Sequence, residues 1–349
     1  MPNRDIIAIG GSAGSGPVLR QIAAALPEDF AGSIFIATHV PTQSTGHLAA
    51  VLADAGPLPA SQAIDGQPIE RGRIYVAAPD RHLLLGDGAI RLGQGPRENM
   101  ARPAIDPLFR SAALAYGSRA VGVVLSGLLN DGAAGLHAIT SVGGTAIVQH
   151  PLDAAADQMP LAALEATEVD YVAAAADLAG VLTEVATSEA GPGKAPSEGL
   201  ALEVEIAAGE RVGSQNLRRL ADPSPLTCPD CHGVLSEMRD GEPLRYRCQI
   251  GHAYTAETLV ANIDEVDQAV RVAMRVMEER VALVERMAQD ARDTGRTAVA
   301  ELYESRALEY RGYAKTLREA AILSLRMATR ADDRENDEAK ALSGRRAHL

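Results

Sequence analysis

Ile6-Ile7-Ala8-Ile9-Gly10-Gly11-Ser12-Ala13-Gly14-Ser15-Gly16 decides how the rest of this 349-residue chain is read. Its four leading apolar residues, three of them isoleucine, predict a strand buried on both faces, as in parallel sheets. The glycines then force a tight turn that leaves the Ser12 hydroxyl above the strand's carboxyl end. Gly10-x-Ser12-x-Gly14 has the spacing of a nucleophile elbow. A glycine-rich turn after a first strand can equally cradle a phosphate at a helix N-terminus. The two readings demand different residues elsewhere.

Working outward, 17–26 predicts a helix and Ser33 to His39 a second buried strand, with Ile34-Phe35-Ile36-Ala37 at its centre. A helix over 46–55, strands over 74–77 and 83–85, and a hairpin through Gly86-Asp87-Gly88 follow. A helix over 105–116 leads into a third buried strand, 120–125, and strand and helix alternate to 185. The pattern predicts a doubly wound α/β domain over 1–187, its sheet mainly parallel with helices on both faces. Residues 188–226, rich in Gly, Pro, Ser, Glu and Ala, read as a flexible linker. A compact cysteine-bearing segment spans 227–255. Apolar positions 259, 263, 266, 270, 273 and 277, then 303, 307, 310, 314, 317 and 321, step by four and three. They predict two long helices over 256–330, broken at Asp293-Thr294-Gly295, either as an antiparallel hairpin or as a coiled-coil arm that forms a homodimer. A polar tail, 331–349, closes the chain.

Composition narrows the function classes. Apolar residues make up 46% of the chain but aromatics only 3%, so Ala, Leu and Val must do the packing, which suits helices on a sheet. A net charge of −13 argues against a nucleic-acid partner, which needs clustered Lys and Arg. No apolar run approaches a membrane span and Met1 to Asp5 lack an export signal, so no membrane insertion and a cytoplasmic location are expected. The three cysteines all lie between 228 and 248, which points to a metal site rather than a disulfide framework.

The phosphate reading of the opening turn finds no support further on. A dinucleotide site wants an acidic residue after the second strand, where this chain has Thr38-His39, and no Gly-Lys-Ser or Gly-Lys-Thr occurs. Ser12, His39 and Asp131 instead fall at or just beyond the carboxyl ends of three buried strands, where open α/β sheets form their crevice. A serine hydroxyl needs an imidazole to take its proton, and the imidazole needs an anionic acceptor to fix its tautomer and stabilise its charge. The three residues supply those roles, in an order that differs from the Ser, Asp, His of α/β-hydrolases.

Residues 6–187 resemble the catalytic domain of the chemotaxis protein-glutamate methylesterases, the CheB family. The resemblance rests on Gly11-Ser12-x-Gly14, His39-Val40-Pro41, the block Arg102-Pro103-Ala104-Ile105-Asp106-Pro107-Leu108-Phe109-Arg110-Ser111-Ala112, Ser126-Gly127 through Asp131-Gly132-Ala133-x-Gly135-Leu136, and Gln149 to Pro160 with Asp157 and Met159-Pro160. It implies hydrolysis of glutamyl methyl esters on methylated chemoreceptor cytoplasmic helices with release of methanol, in many members deamidation of receptor glutamines, and no catalytic cofactor. It implies Ser12 as nucleophile, His39 as general base and acid and Asp131 as orienter, with Ala13 and Leu128 at the oxyanion and substrate. Two departures stand out: Ala13 replaces the family's usual Thr, and Gly127-Leu128-Leu129 replaces its Gly-Met-Gly. The resemblance further suggests a receptor methyltransferase or a separate receiver protein as partners, since the chain starts five residues before the first catalytic strand and no receiver domain is expected in cis. A non-catalytic receptor-binding adaptor is the competing reading from another class.

Cys228-x2-Cys231-x16-Cys248-x3-His252 offers two knuckles separated by enough chain for a hairpin, the pattern of a structural zinc ribbon. His232 is the less suitable fourth ligand because it directly follows Cys231. Three reduced buried cysteines without metal are the alternative.

Overall fold

Strand β1, Ile6–Gly11, is buried at every residue. Ile6 and Ala8 join one apolar cluster and Ile7 and Ile9 another, so alternate side chains serve the two faces of the sheet. Removing each isoleucine from water stabilises the fold by about 1.5–3 kcal/mol, which is why a continuous apolar run marks a central strand. The computed structural model describes residues 2–39, 47–210, 214–240, 242–261, 264–319 and 322. Met1, Val40, Pro41, Gly46, Ile263, Ala321 and residues 323–349, which include the end of the expected helices and the tail, lie outside the described residues.

Helix α1 (Ser15–Ala25) crosses from β1 to β2 (Ser33–Thr38), and α2 (His47–Ala55) leads to β3 (Ala60–Gln62) and β4 (Arg73–Val76). A separate antiparallel hairpin, β5 (His82–Leu85) and β6 (Ile90–Gly93), follows. Then come α3 (Ile105–Tyr116), β7 (Ala120–Val124), α4 (Ala133–Ser141), β8 (Thr145–Gln149), α5 (Gln158–Ala166), β9 (Tyr171–Ala173) and α6 (Leu178–Thr187). The main sheet has seven strands in the order β3-β4-β2-β1-β7-β8-β9, and every pair in it is parallel. Residues of α1, α2 and α6 pack into the cluster on one face, and residues of α3, α4 and α5 into the cluster on the other. The doubly wound α/β class is therefore present. Because the chain leaves β1 for β2 and later returns to its other side with β7, the switch point lies at the carboxyl ends of β2, β1 and β7.

The described residues of 188–226, a stretch anticipated as a linker, are instead built into the fold. It carries α7 (Glu198–Ala208), α8 (Ser214–Leu220) and β10 (Ala221–Thr227). Ser197 caps α7 by accepting the Leu200 amide at 3.2 Å, and the Gln94 and Gly95 amides donate to the Ala208 and Ala207 carbonyls. Composition misleads here because Glu203, which looks like a solvent-facing charge, is 4% exposed and held by arginines some forty residues further on.

β10 opens a four-stranded antiparallel sheet with β11 (Val234–Met238), β12 (Arg245–Cys248) and β13 (Ala253–Thr255). This ribbon and the α/β sheet belong to one unit, Met1–Val260. They are joined by a buried ionic cluster: Arg247 donates to Glu98 Oε1 at 3.2 Å and to Glu203 Oε1 at 2.8 Å, Arg245 donates to Glu203 at 2.7 Å, and Arg110 of α3 pairs with Glu98. Opposite charges this deeply buried are tolerable only in such mutual company.

Helix α9 (Ala256–Ala261) follows β13. In the second unit, Ala261–Leu349, α10 (Asp264–Asp293) and α11, residues 297–319, form an antiparallel hairpin. Ion pairs Arg292 with Glu304, Glu285 with Arg311 and Glu278 with Arg318 step backwards along α10 and forwards along α11 by one heptad at a time. Small residues line the seam, with Ala288 and Ala291 facing inward on one helix and Ala300, Ala307 and Ala314 on the other. No described helix is long and apolar enough to cross a membrane.

Candidate active site

The turn after β1 does what its glycines predict. Gly14 sits at φ 80°, and a Cβ there would lie 2.6 Å from the Ala155 Cβ and 2.7 Å from the Ser126 Oγ, so only glycine fits. Ser15 closes the turn by donating both its amide (3.1 Å) and its hydroxyl (2.7 Å) to the Ser12 carbonyl. Ser12 thus stands between β1 and the N-terminus of α1, with its own amide donated to the Ser126 carbonyl at 2.9 Å.

Ser12, from the end of β1, His39, from the end of β2, and Asp131, beyond β7, meet at the switch point. The Ser12 Oγ lies 3.1 Å from His39 Nδ1, and His39 Nε2 lies 2.7 Å from Asp131 Oδ2. An ionised carboxylate can only accept, so Nε2 carries the imidazole proton and Nδ1 accepts from the serine. The imidazole edge used toward the serine is therefore Nδ1. Asp131 is 2% exposed and also accepts the Ile105 amide at 2.7 Å, the Asp106 amide at 3.2 Å and the Asn99 side-chain amide at 3.1 Å. The Ile105 and Asp106 amides open α3, a position that favours an anion.

Electrostatics separates the two neighbouring carboxyls. Burial opposes the charged form of Asp131, but the bonds from His39, Ile105 and Asn99 outweigh it and hold Asp131 below the usual carboxylate range. Burial and then the negative charge of Asp131 push Asp106 up to about 7. Burial also opposes the imidazolium of His39, yet the hydrogen bond and charge of Asp131, with Asp106 behind it, raise His39 above its ordinary value. One anion, held in place and aimed at the imidazole, is the result.

Around the serine, Met159 is buried, and a Cβ at Gly127 would meet its Sδ at 2.0 Å and the Ser12 Cβ at 3.0 Å. Leu128 and Leu129 form an exposed apolar rim. Leu129 takes φ 61°, in the left-handed region that favours glycine, and its amide donates to Gln158 Oε1 at 2.8 Å. The amides of Ala13 and Leu128 have no protein acceptor among the described residues. The sequence did not single out Asn99 or Asp106 for the site. Asp106 stands in a quoted motif block, whereas nothing local marks Asn99.

The Cys228, Cys231, Cys248 and His252 ligand atoms all lie within 4.8 Å of one another. The separations are 3.6 Å for Cys231 to Cys248, 3.7 Å for Cys228 to His252 Nδ1 and 3.4 Å for Cys248 to His252 Nδ1. Zinc bonds of about 2.3 Å to sulfur and about 2.0 Å to nitrogen give tetrahedron edges of about 3.5–3.8 Å, so the cluster can hold a metal ion. The sulfurs are too far apart for a disulfide, which needs about 2.05 Å. His252, and not His232, completes the group. Of the other histidines, His82 is a core residue: its Nε2 donates to the Pro96 carbonyl at 2.9 Å.

Residues 7–182 match the family model described as CheB methylesterase. A protein of Anaeromyxobacter dehalogenans named protein-glutamate methylesterase/protein-glutamine glutaminase 2 is 36% identical over 181 residues, which cover 52% of this chain and 53% of that one. A putative protein-glutamate methylesterase/protein-glutamine glutaminase of Leptospira interrogans is 39% identical over 171 residues, covering 49% of this chain and 89% of that one. The chain therefore spans about half the length of the first relative and most of the second. The crystal structure of the Thermotoga maritima CheB methylesterase catalytic domain superposes with a TM-score of 0.50 at 31% identity, covering 52% of this chain and 97% of that one. The site geometry and these matches fall on the same α/β domain, and the chain belongs to the CheB methylesterase family.

Proposed function

We propose that the chain is a serine hydrolase that removes methyl esters from protein glutamate side chains, with methylated chemoreceptor cytoplasmic helices as its substrate and sensory adaptation as its setting. The observation that carries this reading is the unbroken contact chain from Ser12 Oγ through His39 to Asp131. Ser12 Oγ attacks the ester carbonyl as its proton passes to His39 Nδ1, and Asp131 stabilises the imidazolium through Nε2. The amides of Ala13 and Leu128 receive the oxyanion, helped by the N-terminal dipole of α1. Collapse expels methoxide, which takes the Nδ1 proton and leaves as methanol. A water then loses its proton to Nδ1 and hydrolyses the acyl-serine, freeing glutamate. Protein-glutamine deamidation follows the same steps with ammonia leaving, and the glutaminase half of the relatives' names favours it as a second activity.

In the proposed enzyme Cys228, Cys231, Cys248 and His252 hold a structural zinc ion, and catalysis itself uses no cofactor. Burial pushes the Cys248 thiol up to about 12, so a cation is what makes a thiolate stable there. The working location is the cytoplasm, a receptor methyltransferase or separate receiver protein is a candidate partner, and the C-terminal helices are a candidate homodimer contact.

The test is methanol release from a methylated receptor peptide, with ammonia release from the unmodified peptide in parallel. Ser12→Ala should abolish both while the far-UV spectrum stays the same; equal release from wild type and variant refutes the reading. A fluorophosphonate probe separates an enzyme from an adaptor, because only an activated serine labels.

A further inference from the structure

Asp131 does not receive its surroundings from the α/β domain alone. Asn99 places its side-chain amide between two buried carboxyls, donating from Nδ2 to Asp131 Oδ1 and to Asp106 Oδ2, each at 3.1 Å. Both of its N–H groups are thereby used. Its Oδ1 accepts the backbone amide of Thr255, the last residue of strand β13, at 3.1 Å. The backbone of Asn99 is tied to the same strand, its amide donating to the Ala253 carbonyl at 2.8 Å, and it adopts φ 48°. Asparagine tolerates that left-handed conformation better than most residues.

The orientation of this amide follows from its neighbours. Turned over, it would set a carbonyl oxygen against the Asp131 carboxylate and an NH2 against the Thr255 N–H, losing both of those bonds. The Thr255 N–H can only donate and the Asp131 carboxylate can only accept, so the ribbon fixes which end of Asn99 faces the carboxylate. A second clamp acts on the residue beside the acid. The hydroxyls of Thr255 and Thr258 both donate to Asn130 Oδ1, at 2.7 and 3.1 Å, and the Asn130 amide donates to Glu257. These residues are buried, except that Glu257 is exposed.

We infer that the ribbon is part of the catalytic apparatus: Asn99 is a positioning residue for Asp131, and strand β13 with the start of α9 holds Asn99 and Asn130 in the one arrangement that aims the acid at His39. The inference rests on the proposed roles of Ser12, His39 and Asp131. It gives the C-terminal ribbon a task in the reaction, because distortion of β13 reaches the imidazole through three hydrogen bonds, Thr255 to Asn99, Asn99 to Asp131 and Asp131 to His39.

The experiment uses the full chain and the fluorophosphonate labelling rate of Ser12, which does not depend on knowing the receptor. Asn99→Ala should slow labelling about tenfold, the loss expected when one hydrogen bond to a charged group is removed. With methylated peptide, kcat should fall by a similar factor while KM changes less than about twofold, since Asn99 does not touch substrate. Removing a donor from Asp131 leaves its charge less neutralised and the imidazolium better stabilised, so the acid limb of kcat/KM should move to higher pH. The downfield proton resonance of His39 Nε2–H should shift, a change that a merely structural role would not produce. If Asn99→Ala does not fold, Thr255→Val combined with Thr258→Val removes the Asn130 clamp and keeps the backbone donors, and it should slow labelling at least about threefold. A folded variant with wild-type labelling, kcat and acid limb overturns the positioning role. A wild-type protein that does not label at all overturns the triad reading and this inference with it.

Discussion

Asp131→Asn tests the electrostatics of the site most directly. Both carboxylate oxygens are engaged by donors: Oδ2 by His39 Nε2 and the Ile105 amide, each at 2.7 Å, and Oδ1 by Asn99 Nδ2 and the Asp106 amide at 3.1 and 3.2 Å. The new NH2 must face one of these pairs, and the longer pair costs less. Two buried donors then lose their acceptor at about 1–3 kcal/mol each, so the fold should lose about 2–6 kcal/mol. The remaining carbonyl still accepts from His39 Nε2, which keeps the tautomer but removes the charge. Losing that charge from a water-poor site should lower kcat about a hundred- to thousandfold, or about 3–4 kcal/mol at 1.36 kcal/mol per tenfold. The sign of the pH effect is fixed. Asp131 raises His39 against its burial, and the base must be neutral to act, so the variant's acid limb in kcat/KM should move to lower pH. Initial rates of methanol release across the pH range measure it, with denaturant unfolding as the stability control. A limb that stays in place or moves upward would show that Asp131 does not raise His39.

Asp106 supplies a stability prediction of the opposite kind. Its carboxyl is pushed from 3.8 to about 7 in the fold, so its contribution is complete below about pH 3.8 and is lost as pH rises through about 7. His39, also raised, adds to the same trend. The thermal midpoint should therefore fall between about pH 5 and 8, and Asp106→Asn, neutral throughout, should flatten that fall; a variant with the full wild-type slope counts against the assignment. Cys248→Ser should lower bound zinc from about one ion per chain toward none, by elemental analysis of the full-length protein. Retention of the full metal content would show that the cluster is not the ligand set.

The opening stretch was legible because its determinants are local. A short, isoleucine-rich apolar run closed by glycines fits a strand buried on both faces, and Gly14 has no alternative at φ 80° with atoms 2.6 Å from where a Cβ would stand. The same locality served the helix over 105–116, whose bounds agree with α3, and the break at Asp293-Thr294-Gly295 between the last two long helices. Where determinants are distant, the reading failed. The stretch around Ser197 was read as linker, and what holds α7 in place is the pairing of Glu203 with Arg245 and Arg247, invisible from composition.

The site divides along the same line. That Ser12, His39 and Asp131 stand at or beyond the ends of buried strands, and that three cysteines and a histidine have metal-ligand spacing, is readable along the chain, because strand termini and knuckles are set by sequence neighbours. Packing in three dimensions sets the rest: Nδ1 of His39 faces the serine, Asp131 carries the charge while Asp106 is pushed up to about 7, and Asn99 is turned by Thr255. Those outcomes depend on which donors reach a buried carboxylate across 92 and 156 residues of intervening chain, a question of packing that no local pattern of residues encodes.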